Sequence, residues 1–190
     1  MFGLLLGSIL SIEVPVRVEA ELPDRALETA LSEADRLFAA GGIRFLWQPG
    51  ALPSSGSASI VIRPRPDTAV VSGCSRNLHD HRLGLTLLEA RRVTLWTEQV
   101  ARAIAGSWGR KNPPRVDEAV LGTALGRVLA HELGHLFLRL NGHREDGLMK
   151  PSFSQRSLIG KSDRSFRLSE RDMGRVREAL TRLKVARTDQ

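Results

Sequence analysis

Two histidines four positions apart, with a glutamate beside the first, form the segment His131-Glu132-Leu133-Gly134-His135. These are the residues of the chain best equipped for chemistry. On a helix, side chains at i and i+4 project about 40° apart and roughly 6 Å along the axis, so two imidazoles so placed can close on one metal ion. Glu132 then lies beside the metal rather than on it, where a carboxylate can take a proton from a metal-bound water. Zinc lowers the pKa of such a water to about 7, and the neighbouring base helps deliver hydroxide to a carbonyl carbon.

A catalytic zinc needs a third protein ligand and one open position. His143 is the nearest downstream histidine, and three of the five histidines fall between positions 131 and 143. An uninterrupted helix would carry His143 about 12 Å further along the axis. Asn141-Gly142 supplies the break, since both residues tolerate the left-handed conformation that ends helices. Carboxylates compete for the same place: Glu170 on a later helix, with Glu145 and Asp146 closer in sequence. A first-turn position explains Glu170 without a metal, because the helix dipole favours an acid there. Cys74 is the sole cysteine, which excludes an intrachain disulfide and a Cys-rich zinc site. It reads as a small buried residue, with a zinc-capping thiolate as the alternative. His79 and His81 flank Asp80 in a polar loop, with hydrogen bonding into a cleft as their functional reading.

The elements that must position these residues read as one α+β domain, a small mixed sheet backed by helices. Val14–Ala20 alternates as a strand, and Asp24 caps a helix to about Ala40 whose face carries Leu27, Leu31, Ala34, Leu37 and Phe38. Ile43–Trp47 and Ser59–Arg63 are further strands, separated by a Pro/Ser/Gly-rich loop from Gln48. Thr68–Ala90 reads as irregular, Val93–Trp96 as a fourth strand and Thr97–Trp108 as helix. Asp117 opens a long helix with apolar residues from Val120 to Phe137 at three- and four-residue spacing, and the two motif histidines sit near its end. Ser169 with Asp172 resembles a capping box for a final helix through Leu183.

Composition fits this reading. The chain of 190 residues is 42% hydrophobic and 26% charged, long enough for one domain and short for two. Residues 13–190 read as that domain. Residues 1–12 are an apolar segment too short to span a bilayer. Their length suits the core of a signal peptide, although no Lys or Arg precedes it; an extracytoplasmic location follows only if it is such a remnant. The net charge is +7, and Arg139 to Gln190 holds thirteen Lys and Arg against seven Asp and Glu. No nucleic-acid motif accompanies this charge, so it reads as a solvated helix face, and neither a nucleic-acid partner nor stable membrane insertion is expected.

With His143 and the following Gly147-Leu148-Met149-Lys150-Pro151, the histidine motif resembles the active site of metzincin metallopeptidases, the matrixin-like branch especially. Arg167-Leu168-Ser169-Glu170-Arg171-Asp172-Met173 is similar to the opening of the last helix in that branch. The resemblance implies that His131, His135 and His143 bind zinc, that Glu132 is the general base, and that Met149 forms the Met-turn beneath the metal. Two departures stand out. Leu138 occupies the place of a usual glycine, and the spacer to the third histidine is two residues longer, a spacing that resembles a bacterial variant. The chain also has no tyrosine, so no Tyr serves as a ligand or oxyanion donor, and zinc must carry more of that stabilisation. The leading expectation is a zinc metalloendopeptidase acting on a protein or peptide. The alternatives are a zinc hydrolase of another amide, and a binding or regulatory protein with structural zinc and a basic C-terminal helix; an intact Glu132 speaks against the last.

Overall fold

The computed structural model describes residues 11–50, 58–65, 82–112, 114–162 and 164–188, with side chains described as far as residue 182. Residues 1–10, Cys74, His79 and His81 lie outside the described residues.

Strand β1 (Ile12–Ala20) buries Val14, Val16 and Val18 on one face and turns Arg17 to solvent, as period-two alternation requires. It pairs in parallel with β2 (Ile43–Pro49) on one side and β3 (Ala58–Arg63) on the other. Beyond β3 come β5 (Arg92–Trp96), also parallel, and then β4 (Gly84–Leu87), antiparallel at the edge. The order is thus β2-β1-β3-β5-β4. Pairs such as Val18 opposite Ile60, and Ile62 opposite Leu95, align the apolar faces across the sheet.

Five helices complete the described chain: α1 (Asp24–Ala39), α2 (Thr97–Ala105), α3 (Glu118–Leu138), α4 (Gln155–Ile159) and α5 (Glu170–Thr188). The core joins α1 and α3 to the apolar sheet face and includes Phe38, Phe45, Ile60, Leu95, Leu125 and Leu129. Helix α1 buries Ala34, Leu37 and Phe38 as predicted, but its first turns differ. Ala26, Ala30 and Ala34 are fully buried, whereas Leu27 and Leu31 pack at the margin. Small residues at the crossing let α1 and α3 approach closely, and the larger leucines fill the flanks. Helix α3 begins as expected, with the Asp117 carboxylate accepting the N–H groups of Ala119 (2.9 Å) and Val120 (3.1 Å). It is not amphipathic, however. From Ala124 to Phe137 it is buried on every side, and only its first turn, with Val120, reaches solvent. The opposite holds at α1, where Pro23 is the N-cap and Asp24 makes no capping hydrogen bond.

Other boundaries differ for local reasons. Strand β2 runs two residues past Trp47; Pro49 is tolerated because β2 is an edge strand. Helix α2 stops at Gly106, which takes the left-handed conformation (φ 59°), rather than reaching Trp108. Strand β4 lies in the stretch read as irregular, and α4 in one for which no element was predicted; each is five residues or fewer, too short for periodicity to declare. At α5, Ser169 Oγ accepts the Asp172 N–H (3.1 Å), but the Asp172 carboxylate takes the Arg144 guanidinium (3.1 and 3.3 Å), so half of the capping box is built.

Candidate metal centre

His131, Glu132 and His135 occupy the buried last third of α3, on the side that faces a cleft of about 700 Å³ beside β4. The His131 Nδ1–H donates to the Leu148 carbonyl and the His135 Nδ1–H to the Leu140 carbonyl, each at 2.6 Å. A carbonyl oxygen only accepts, so both protons sit on Nδ1 and both Nε2 lone pairs are free. Those two Nε2 atoms stand 3.1 Å apart. Neither has a proton to share in the neutral ring, so the pair repels unless a cation lies between them. Two nitrogens bound to zinc at 2.0–2.1 Å in a tetrahedron are about 3.3 Å apart, close to what is seen. Burial holds His131 down to about 4, against the raising effect of the Leu148 carbonyl and with help from the neighbouring histidines. His135 is lowered for the same first reason. Neutral imidazoles are what a divalent cation requires.

His143 joins them, although the chain turns back differently from expectation. Helix α3 ends at Leu138, and the left-handed residue is Arg139 (φ 48°), not Asn141 or Gly142. The N–H groups of Arg139 and Leu140 both reach the His135 carbonyl, and this turn also delivers the Leu140 carbonyl to the His135 ring. His143 comes round on the open side, exposed, its ring centre 4.9 Å from that of His135 and 5.4 Å from that of His131. The ligand atoms of all three lie within 4.8 Å of one another, the candidate metal-holding group among the described residues. Three imidazoles and an open side fit a single zinc ion with a free position. Glu145 and Asp146 line a separate cavity of about 870 Å³, and Glu170 is exposed at the start of α5. Among the described residues no carboxylate joins the histidine group.

Met149 is 1% exposed and packs against Gly134, where an added Cβ would meet its sulfur at 2.4 Å. A glycine one residue before His135 is therefore what lets the methionine lie under the helix at the site. Gly147 (φ 67°) turns the chain into that segment, and the Leu148 N–H is anchored on the Arg167 carbonyl (2.9 Å).

Glu132 faces the other way, toward β4. Its Oε2 accepts the Thr86 hydroxyl at 2.6 Å. Burial pushes the carboxyl up to about 7, and the Thr86 hydrogen bond and the Arg82 charge pull back against it. A base held near neutrality is suited to accept and return a proton. Sequence reasoning missed Thr86, Gly84 and Arg82, all in the stretch read as irregular. The alternation Leu83, Leu85, Leu87 around them is the only signal, and over so few residues it does not mark a strand. It also missed Phe153, edge-on to His131 at 5.2 Å and stacked on Phe166 at 4.7 Å. Arg127 lies over Phe166 and pairs with Glu33 at 2.9 Å, tying this aromatic wall to α1.

No protein-family model and no curated protein matches the chain. Solved structures do. The crystal structure of a zinc-dependent peptidase from Methanocorpusculum labreanum superposes with a TM-score of 0.57 at 11% identity, covering 86% of this chain and 99% of that one. That of archaemetzincin from Methanopyrus kandleri gives 0.56 at 13% identity, covering 93% and 99%. The fold is that of zinc-dependent peptidases. The expected α+β architecture with helices behind one sheet is therefore correct, and it extends over nearly the whole length of both neighbours.

Proposed function

We propose that the chain is a zinc-dependent endopeptidase of metzincin type, with His131, His135 and His143 as ligands and Glu132 as the general base. The observation that carries the proposal is the facing pair of unprotonated Nε2 atoms at 3.1 Å, with a third imidazole beside them and a buried carboxylate one residue from the first. When bound, zinc supplies a Lewis acid for the scissile carbonyl and acidifies the attacking water. The chain's own groups do the rest. The Leu148 and Leu140 carbonyls hold the two helical imidazoles in one tautomer, as outer-shell partners of metal ligands do. Thr86 steadies Glu132 so that the carboxylate accepts a proton at one oxygen and returns it to the leaving amine. Met149, wedged against Gly134, is the Met-turn residue that supports the floor of the site.

Strand β4 supports a peptide rather than another amide as substrate. Among the described residues it pairs with β5 alone, and Gly84, Leu85 and Thr86 line the cleft. An extended peptide laid on that free edge gains main-chain hydrogen bonds along its length.

The test is zinc content and peptide-library digestion, on wild type and three variants. One zinc per chain and cleavage of a peptide set are expected. Glu132→Ala keeps the metal while turnover falls by at least ~10²-fold. His143→Ala weakens zinc binding by orders of magnitude, and Glu170→Ala leaves it intact. Loss of zinc in Glu170→Ala but not in His143→Ala defeats the metzincin assignment, and zinc without cleavage of any peptide defeats the peptidase reading.

A further inference from the structure

The inference here concerns the substrate and rests on the peptidase reading. Strand β4 presents alternate residues to Glu132. Thr86 donates to its carboxylate, and at Gly84 an added Cβ would stand 3.0 Å from Glu132 Cγ and Oε1, so only a glycine lets the strand come so close. The ladder continues one residue before β4, with the Trp96 N–H on the Leu83 carbonyl at 3.1 Å. By the same period of two, Arg82 follows Gly84 and Thr86 on this face. It is half-buried, lines the cleft, and its charge is felt at the Glu132 carboxyl.

What sets Arg82 apart is that it lines the cleft beside Glu132 without a partner among the described residues. Arg127 holds Glu33, Arg144 holds Asp172 and Arg65 holds Glu98. Among the described residues Arg82 makes no hydrogen bond or ion pair, and Glu132 lies beyond ion-pair distance. The cleft it lines is apolar along Leu83, Leu85, Leu88, Val128 and Phe153, and its polar side chains Thr86, Asn141, Ser152 and Gln155 carry no negative charge. A partly desolvated guanidinium, a planar fork of five donors, is therefore left facing the substrate space. Glu132 is committed to the base role, and zinc would add two further positive charges. The unfilled partner is an anion brought by the substrate.

We propose that Arg82 is a specificity-determining residue that selects peptides carrying a carboxylate close to the scissile bond. The carboxylate comes from an Asp or Glu side chain or from a free C-terminus, and peptides of both kinds separate the two sources. A charge-assisted hydrogen bond contributes roughly 1.5–3 kcal/mol, which predicts about a ten- to hundredfold preference.

The experiment compares C-terminally amidated peptides that differ only by Glu or Gln at each position flanking the cleaved bond, and neutral peptides with free or amidated C-termini. Cleavage of each pair is measured as kcat and KM on zinc-loaded wild type, Arg82→Gln and Arg82→Lys. Binding of the same pairs is measured by calorimetry on zinc-loaded Glu132→Gln, with and without Arg82→Gln. Wild type is expected to favour the carboxylate member of at least one pair, Arg82→Gln to reduce the ratio to about one, and Arg82→Lys to restore part of it. Equal handling of each pair by wild type overturns the proposal. So does a fall in kcat for both members with the ratio unchanged, which would put Arg82 at the reacting carbonyl instead. If no peptide is cleaved, the peptidase reading fails on its own, and calorimetry still decides. Tighter carboxylate binding that vanishes in Arg82→Gln upholds the selection, and equal binding refutes it.

Discussion

Glu132→Gln tests the electrostatics of the site without any knowledge of the substrate. The substitution keeps the shape of the side chain and an oxygen for the Thr86 hydroxyl, and removes the ionisable group. In the folded, metal-free protein burial raises the Glu132 carboxyl from its ordinary 4.5 to about 7. Below the lower value the group is protonated in folded and unfolded chains alike, and it costs nothing. Between the two values the unfolded chain releases a proton that the folded chain retains, so stability falls as pH rises. Above the upper value the folded protein carries a buried charge that the unfolded chain holds in water. At about 1.4 kcal/mol per unit of pKa, the loss comes to about 3 kcal/mol. Glu132→Gln escapes it. Urea denaturation of the two chelated proteins, followed by tryptophan fluorescence, should give stabilities that differ by a constant at acid pH. The variant should then gain about 3 kcal/mol on wild type by about pH 8. Zinc reconstitution should shrink that gain, because a nearby dication favours the carboxylate. A difference that stays flat from acid to alkaline pH would refute the claim that Glu132 is buried against its charge, and with it the reason for treating it as a poised base.

The remaining predictions concern the frame of the site. In the metal-free Glu132→Gln background, His131 should make the protein acid-sensitive: its folded value of about 4 lies below the ordinary 6.5. The stability it permits is complete above the ordinary value and falls by about 3 kcal/mol toward the folded one, as urea midpoints across that window will show. Arg127→Met removes the buried partner of the Glu33 carboxylate (side chains 4% and 11% exposed) and leaves it the more exposed Arg36 at 2.7 Å. It should cost less in chemical denaturation than the ~3–5 kcal/mol of a buried charge stripped of every partner, and Glu33→Gln should recover part of the loss when combined with it. Met149→Leu should fold and keep its zinc at a cost of ~1.5 kcal/mol or less, since the volume is nearly conserved; metal analysis showing none would mean that the sulfur does more than fill space.

The chemistry of this protein is written locally and its setting is not. His131, Glu132 and His135 were legible because helix geometry alone fixes their mutual placement, and Asp117 marked where that helix begins. His143 was legible only as a residue after a break. Where the break falls was decided by the left-handed turn at Arg139, a residue with no intrinsic preference for it, which the two hydrogen bonds to the His135 carbonyl hold in place. The parallel strands β1, β2, β3 and β5 announced themselves through alternation or continuous apolar runs, because burial on the core face imposes it. Their order did not, since pairing partners are chosen by tertiary packing. Strand β4 is four residues long with a glycine at its head, too little for a pattern, yet it brings Gly84 and Thr86 against Glu132 and Arg82 into the cleft. The first turns of α1 have the same cause. Ala34, Leu37 and Phe38 are buried as their spacing implies, but a close helix crossing selects by size, and Ala26 and Ala30 rather than Leu27 and Leu31 sit in it. Residue type and short spacing thus determined which groups can bind a metal and move a proton. Tertiary packing decided what surrounds Glu132, which carbonyls orient the imidazoles, and which cation lines the cleft, because Thr86 is 46 residues from Glu132 and the Leu148 and Leu140 carbonyls reach the rings only through the turns after the helix.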